Sequence, residues 1–209
     1  MGNSPLQNRV TPFGEIIATT ARGTLMGNRG IIHEPGTRQL LTRRWQHPAW
    51  ICCVLDFKDY QHPIMGAGAY TELFFLDEAT ALAAGHRPCA YCRRRAFNTF
   101  KRAWSIATGE SQPRAPIIDR QLHRERVTRQ RKKITFTAPL DNLPDGAFIA
   151  IDGHAYLLKE NRLLRWHAQG YSAPQKSGKL ADVRVLTPFS TVAVLRAGYS
   201  PLLHPSSHN

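Results

Sequence analysis

Residues 71–95 read TELFFLDEATALAAGHRPCAYCRRR, and most of the architecture can be inferred from this one segment. The apolar run ending at Leu76 leads into Asp77, whose side chain suits a helix N-cap, and EATALAA is strong helix-forming sequence. Gly85 stands where a helix ends in the left-handed conformation, and Pro88 keeps the chain from continuing that helix. Cys89 and Cys92 follow with the spacing of a C-x-x-C turn, and Arg93, Arg94 and Arg95 open a basic segment directly behind them. A helix end, a thiol pair and a cationic helix start are therefore compressed into one segment.

On the C-terminal side, residues 93–109 (RRRAFNTFKRAWSIATG) form a second helix. Phe97, Phe100, Trp104 and Ala107 fall on one face of a 3.6-residue period. SQPRAP (111–116) breaks it, and residues 117–133 are a very basic helix candidate. Upstream, residues 9–66 read as short strands and turns, with EIIAT (15–19) and WICCVLDF (50–57) as apolar, β-branched or aromatic runs and GNRG (27–30) as a turn. Downstream of Ile134 strands dominate: GAFIAIDGHAYLL (146–158) alternates around Asp152-Gly153, a strong hairpin signal, and RLLRW and VRVLT add further strands. STVAVLRAG (190–198) is a short helix with Ser190 as N-cap, and the last ten residues read as a loose tail. ALAAGHRP (81–88) and VLRAGYSP (194–201) echo each other; shared capping chemistry explains this more simply than a duplicated domain.

The bulk numbers set limits on function. With 209 residues, 42% of them hydrophobic, the chain can build a substantial core. No apolar stretch is long enough to span a membrane and the N-terminus lacks an apolar signal region, so a cytoplasmic protein is expected, with no membrane partner. Four cysteines, two of them adjacent (Cys52 and Cys53), are not a disulfide framework. The net charge of +13 is concentrated: residues 86–133 hold eleven arginines and three lysines against Glu110, Asp119 and Glu125. Such a stripe expects a polyanionic partner, DNA or RNA being the usual one.

Structural zinc takes four N or S ligands, so Cys89 and Cys92 make half a site. Cys52 and Cys53 lie in a strand-like run where successive side chains point to opposite faces, so at most one of them can join. His33 (in IIHEPGTR) and His86 are the best nitrogen candidates, with His47 and His62 weaker because each precedes a proline. The stretch LDEATALAAGHRPCAYCRR resembles the second half of the zinc-binding domain of Ada-type DNA alkylation-repair proteins. That resemblance implies that Cys89 and Cys92 bind zinc. IIHEPGTR is similar to an H-x-P-G-C variant of the earlier ligand turn, placing His33 at the first ligand position but Thr37 at the second. Thr is a poor zinc ligand, so Cys53 or Cys52 is expected as the substitute. The methyl-acceptor cysteine of that family is absent at the matching position, so methyl transfer is not carried over. The longer arrangement resembles a group of uncharacterised bacterial proteins.

Other chemistries fit less well. A thioredoxin-like C-x-x-C should follow a strand in a βαβ unit, whereas this one follows a helix and its glycine cap. A zinc deaminase needs an upstream H-x-E, and His123-Arg124-Glu125 lies downstream. Two reduced core cysteines without metal are the plain alternative.

The expected architecture is α+β: a small zinc-stabilised α/β module over 1–109, a basic linker or helix over 110–133, an antiparallel β unit over 134–200 with a short C-terminal helix, and a tail over 201–209. The leading functional expectation is a zinc-containing nucleic-acid-binding protein. Its phosphate contacts would come from Arg93, Arg94, Arg95, Lys101, Arg102, Arg120, Arg124, Arg126, Arg129, Arg131, Lys132 and Lys133, and its metal ligands from Cys89, Cys92, His33 and Cys53. One alternative is a metal-dependent nuclease or other nucleic-acid-directed hydrolase built on Asp119, His123 and Glu125, the first two sharing a helix face at i, i+4. A further alternative is an interaction module for an acidic protein partner.

Overall fold

The computed structural model describes residues 4–58, 63–176 and 182–208. The fold is α+β. Strands β1 (Gln7–Val10), β2 (Ile16–Ala18), β3 (Leu25–Asn28), β4 (Ile51–Cys53) and β5 (Leu73–Phe75) precede helix α1 (Glu78–Ala83) and the short strand β6 (Arg87–Pro88). Helices α2 (Arg94–Thr108) and α3 (Ala115–Arg126) follow. The second half holds β7 (Phe136–Pro139), β8 (Phe148–Ile151), β9 (His154–Lys159), β10 (Arg162–His167), β11 (Gly170–Tyr171), β12 (Gln175–Lys176), β13 (Asp182–Val185) and helix α4 (Phe189–Arg196). The first sheet runs β2-β1-β5-β3-β4-β6; the second runs β11-β10-β9-β8-β13-β7, with β12 on β10.

The local signals act as their chemistry requires. Asp77 caps α1, its Oδ1 accepting from the Thr80 amide at 2.9 Å and the Thr80 hydroxyl at 2.8 Å. At the other end Gly85 (φ +89°) donates to the Leu82 carbonyl and His86 to that of Ala81, a Schellman termination. Helix α4 ends in the same way: Gly198 (φ +96°) donates to Leu195 and Tyr199 to Val194, so the sequence echo is one capping motif used twice. The β8–β9 hairpin turns at Asp152 (φ +47°) and Gly153 (φ +78°), the positive pair a tight primed turn demands. On α2, Phe97, Phe100, Ala103 and Trp104 are buried as the periodicity requires.

Three expectations are corrected. Helix α3 stops at Arg126, short of residue 133: Val127 is extended and bridges back to Lys133, while the Thr128 hydroxyl accepts from the Lys132 amide. β-Branched residues, one with a side chain that competes for backbone groups, end the helix where charge counting would extend it. Ser190 lies in the first turn of α4 rather than at its cap, which is Pro188. The C-terminal segment is not loose. Leu202 donates its amide to Glu78 Oε2 and accepts from the Glu78 amide, and the His204 amide donates to Asp77 Oδ2. A 3-10 turn over Pro205–His208 buries Ser207.

Helix α1 is the hub. Leu82 belongs to the core made by α2, α3 and the C-terminal strands, while Leu76, Ala79 and Ala83 pack on Phe148, Leu157, Leu164 and Tyr171. Ala81 and Ala84 instead face the first sheet with Val10, Leu25 and Phe75. The apolar core thus runs on from the N-terminal sheet into the C-terminal one through this helix.

Candidate metal centre

Strand β6 leaves the α1 cap and runs parallel to β4, with Ile51 opposite Arg87 and Cys52 opposite Pro88. The Arg87 amide donates to the Trp50 carbonyl at 3.1 Å and the Cys89 amide to the Cys52 carbonyl at 2.9 Å. This pairing sets the C-x-x-C turn against the end of β4. The alternation of that strand then separates the two adjacent thiols. Cys52 faces the N-terminal core, and Cys53 faces Cys89 and Cys92.

The sulfurs of Cys53, Cys89 and Cys92 all lie within 4.8 Å of one another. Three sulfurs bound tetrahedrally to one zinc ion sit roughly 3.8 Å apart, the edge length that follows from a metal–sulfur bond near 2.3 Å. The trio therefore could hold a metal ion, and an all-sulfur donor set suits soft or borderline cations. Protonation reflects the same closeness. Hydrogen bonds with Cys53 and Cys92 pull the Cys89 thiol well down, whereas hydrogen bonds with Cys89 and Cys92, and then burial, push Cys53 far up. At Cys92 the bond with Cys53 acts to lower the value, but the bond with Cys89 and burial leave it raised. Cys89 is the thiol of the group whose ionised form is favoured, the Tyr91 amide donating to its sulfur at 3.4 Å. Cys52 is raised by burial, and its sulfur lies 3.6 Å from Arg93.

The nitrogen ligands expected from sequence are elsewhere. His33 is buried with Nδ1 at 2.6 Å from the Thr71 hydroxyl and Nε2 at 3.2 Å from the Gly66 carbonyl, so both ring nitrogens are in use. His86 packs edge-on to Phe75 and accepts from Arg29, and His47 lies with Trp45 and His123. His62 falls outside the described residues. Among the described residues, no fourth His, Cys, Asp or Glu joins the trio.

The cysteines sit in a cleft of about 740 Å³ walled by apolar and aromatic side chains, among them Leu55, Phe57, Ile64 and Tyr91. Tyr91, between the two cysteines of the turn, is 60% exposed and packs edge-on to Phe57. Lys58 donates to its hydroxyl at 2.8 Å and lies 4.9 Å from its ring centroid. Sequence reasoning misses this cleft, because its aromatics come from separate segments with no shared periodicity.

The basic residues divide into two groups. Arg94, Arg95, Arg102, Arg120, Arg124, Arg129, Arg131 and Lys132 are exposed, and Lys101 is half-buried. Arg93, expected on a phosphate, instead pairs with Glu78 at 2.8 Å inside the protein; burial alone would lower it, but that partner leaves it raised. Arg126 is 2% exposed and donates to the Gly85 and Pro48 carbonyls, and Lys133 reaches inward to the Ala83 carbonyl.

Nor do Asp119, His123 and Glu125 converge on one site. Asp119 is buried in a bidentate pair with Arg87, both hydrogen bonds at 2.8 Å. Glu125 accepts from the Ser190 amide and hydroxyl and from Gln121, tying α3 to the start of α4. His123 packs against Trp45 and Trp50, its Nδ1 3.0 Å from Arg126. The two carboxylates are occupied by structural partners, because a buried cation and a helix start each need one.

No family model, curated protein or solved structure matches this chain. Among the described residues, no helix is long and apolar enough to cross a membrane.

Proposed function

We propose that this is a zinc-containing nucleic-acid-binding protein whose metal is held by Cys53, Cys89 and Cys92. The observation that carries the reading is the convergence of Cys53, from a distant strand, on the C-x-x-C turn. The resemblance of residues 76–94 to Ada-type zinc modules agrees with zinc as the ion. All three cysteines line the cleft, so a water or a ligand atom entering it would complete a four-ligand zinc site. A strand of nucleic acid fits the surroundings. Tyr91 at the cleft mouth offers a stacking face with Lys58 beside it, and exposed Arg94, Arg95 and Arg102 begin directly after the last ligand.

Two measurements test this. Purified protein should carry one zinc equivalent that is lost in Cys53→Ser and kept in Cys52→Ser. Affinity for a single-stranded oligonucleotide should fall with salt, and an Arg94→Ala/Arg95→Ala variant should reduce the slope of log K against log salt by about 0.7 for each phosphate no longer neutralised. Metal-free wild type with unchanged stability under chelator, or a flat salt response, would overturn the corresponding half.

A further inference from the structure

Away from the cysteines, a second cavity of about 460 Å³ opens between the β1–β2 turn, Arg29 just after β3, the 44–50 loop and the residues that follow α3. Its walls carry Arg29, Arg44, Arg126, Arg131, Lys132 and Lys133 against one carboxylate, Glu15, exposed at the rim. Three of these cations turn inward. Arg29 and Arg126 are each 2% exposed, and Lys133 is half-buried.

Their partners are neutral. Arg29 donates to the Gly14 carbonyl at 3.2 Å and to His86 Nε2 at 3.3 Å, and Arg126 donates to the carbonyls of Gly85 and Pro48. Lys133 donates to the Ala83 carbonyl. Among the described residues, no carboxylate comes within ion-pair distance of any of them; the buried carboxylates Asp119 and Glu78 are taken by Arg87 and Arg93. Among the described residues Arg126 Nε, which is buried, has no hydrogen-bond partner, and neither has His86 Nδ1.

Trp50 holds the cations together. The guanidinium carbons of Arg29 and Arg126 each lie 3.9 Å from its ring centroid. The two charges are thus within about 8 Å of each other, where like charges out of water repel strongly. Burial and this crowding both disfavour the charged forms. Burial and then Arg44 lower Arg29 to about 9, burial and then Arg29 and Arg126 lower Lys133 to about 7, and burial and then Arg29 drive Arg126 well down against the pull of Asp119. Buried cations are ordinarily paired, and a cluster left unpaired is costly. A multivalent anion entering the cavity would supply the missing charge and accept from the free Arg126 Nε–H.

We propose that this cavity is a binding site for a phosphate-bearing ligand of at least two negative charges, held by Arg29, Arg126 and Lys133 with Arg131 and Lys132 at its mouth. Phosphoryl groups suit the donors present, which are planar guanidinium forks beside a point-charge ammonium. The site shares no residue with the cysteine cleft and stands whether or not that cleft binds metal.

The test is calorimetric titration of the whole protein with pyrophosphate at fixed ionic strength, with chloride as the control salt. Saturable one-to-one binding is expected, weakened at least tenfold by Lys133→Met and by Arg131→Ala/Lys132→Ala, and largely kept by Lys133→Arg. The mouth variant is on the surface, so it remains informative if an interior variant does not fold. No heat at millimolar pyrophosphate, or binding untouched by the mouth variant, would overturn the proposal. Competition distinguishes the source of the phosphate. Displacement by a 5′-phosphorylated oligonucleotide but not by its 5′-hydroxyl twin supports a strand end as the ligand, and displacement by neither supports a small phosphorylated molecule. Equal displacement by both would place pyrophosphate on the outer basic surface and overturn the cavity site.

Discussion

Glu78 is the residue on which the structure makes its sharpest demand. Its carboxylate is 1% exposed and receives Arg93 at 2.8 Å, the Tyr199 hydroxyl at 2.5 Å and the Leu202 amide at 2.9 Å. It thereby joins the start of α1 to the residue after Cys92 and to a segment 124 positions later in the chain. Glu78→Gln keeps the shape and removes the charge, leaving a buried Arg93 with no counter-ion. Breaking one side of a buried ion pair costs about 3–5 kcal/mol. For a chain of this size that corresponds to a fall in Tm on the order of 6–20 °C. Urea denaturation followed by tryptophan fluorescence measures it. Glu160→Gln serves as the control, since its partner Lys159 is 3.8 Å away and its side chain is 71% exposed; such a pair contributes about 0–1 kcal/mol. Adding Arg93→Met to Glu78→Gln should recover part of the loss, because the unpaired charge is then gone. If Glu78→Gln unfolds at the same urea midpoint as the Glu160→Gln control, the account of Arg93 as an internal, Glu78-dependent cation is wrong.

Further outcomes follow from the basic cavity and its neighbour Gly85. Lys133, facing Arg29 and Arg126 with Glu15 only at the rim, binds its proton less tightly folded (about 7) than unfolded (10.5). The destabilisation is therefore fully present below pH 7 and is relieved as pH rises toward 10.5. Wild type should gain up to about 4 kcal/mol relative to Lys133→Met between pH 7 and 10, and a flat difference in unfolding free energy would refute the burial of that amine. Gly85→Ala should cost at least about 2 kcal/mol, because φ is +89° and the new methyl would lie 2.5 Å from Arg126 Cδ. Gly109→Ala shares the positive φ (+72°) but meets open space and should cost only the backbone strain, so equal midpoints for the two would remove Arg126 from beneath Gly85.

Much of the candidate centre is legible in the sequence because short-range chemistry controls it. Asp77, Gly85 and Pro88 end one helix and expose the C-x-x-C turn, and side-chain alternation along a strand allows Cys52 or Cys53, but not both, to meet it. His33 misleads for an equally physical reason. Its neighbouring Pro-Gly turn looks like a ligand turn in sequence, but Thr71 and Gly66, brought in from more than thirty residues away, take both ring nitrogens.

The caps of α1, the hairpin at Asp152-Gly153, the buried face of α2 and the limit of one thiol from the adjacent pair each depend on a few neighbouring residues, and these are written in the chain itself. Which cations lie at the surface and which lie inside depends on how the chain folds. Arg93, Arg126 and Lys133 look identical in type to Arg94, Arg124 and Lys132, one or two positions away. What separates them is long-range: a carboxylate on α1 for Arg93, the missing side chain of Gly85 beside Arg126, and the Ala83 carbonyl for Lys133. For these three cations the partner is set by the folding of distant segments, and no local pattern encodes it.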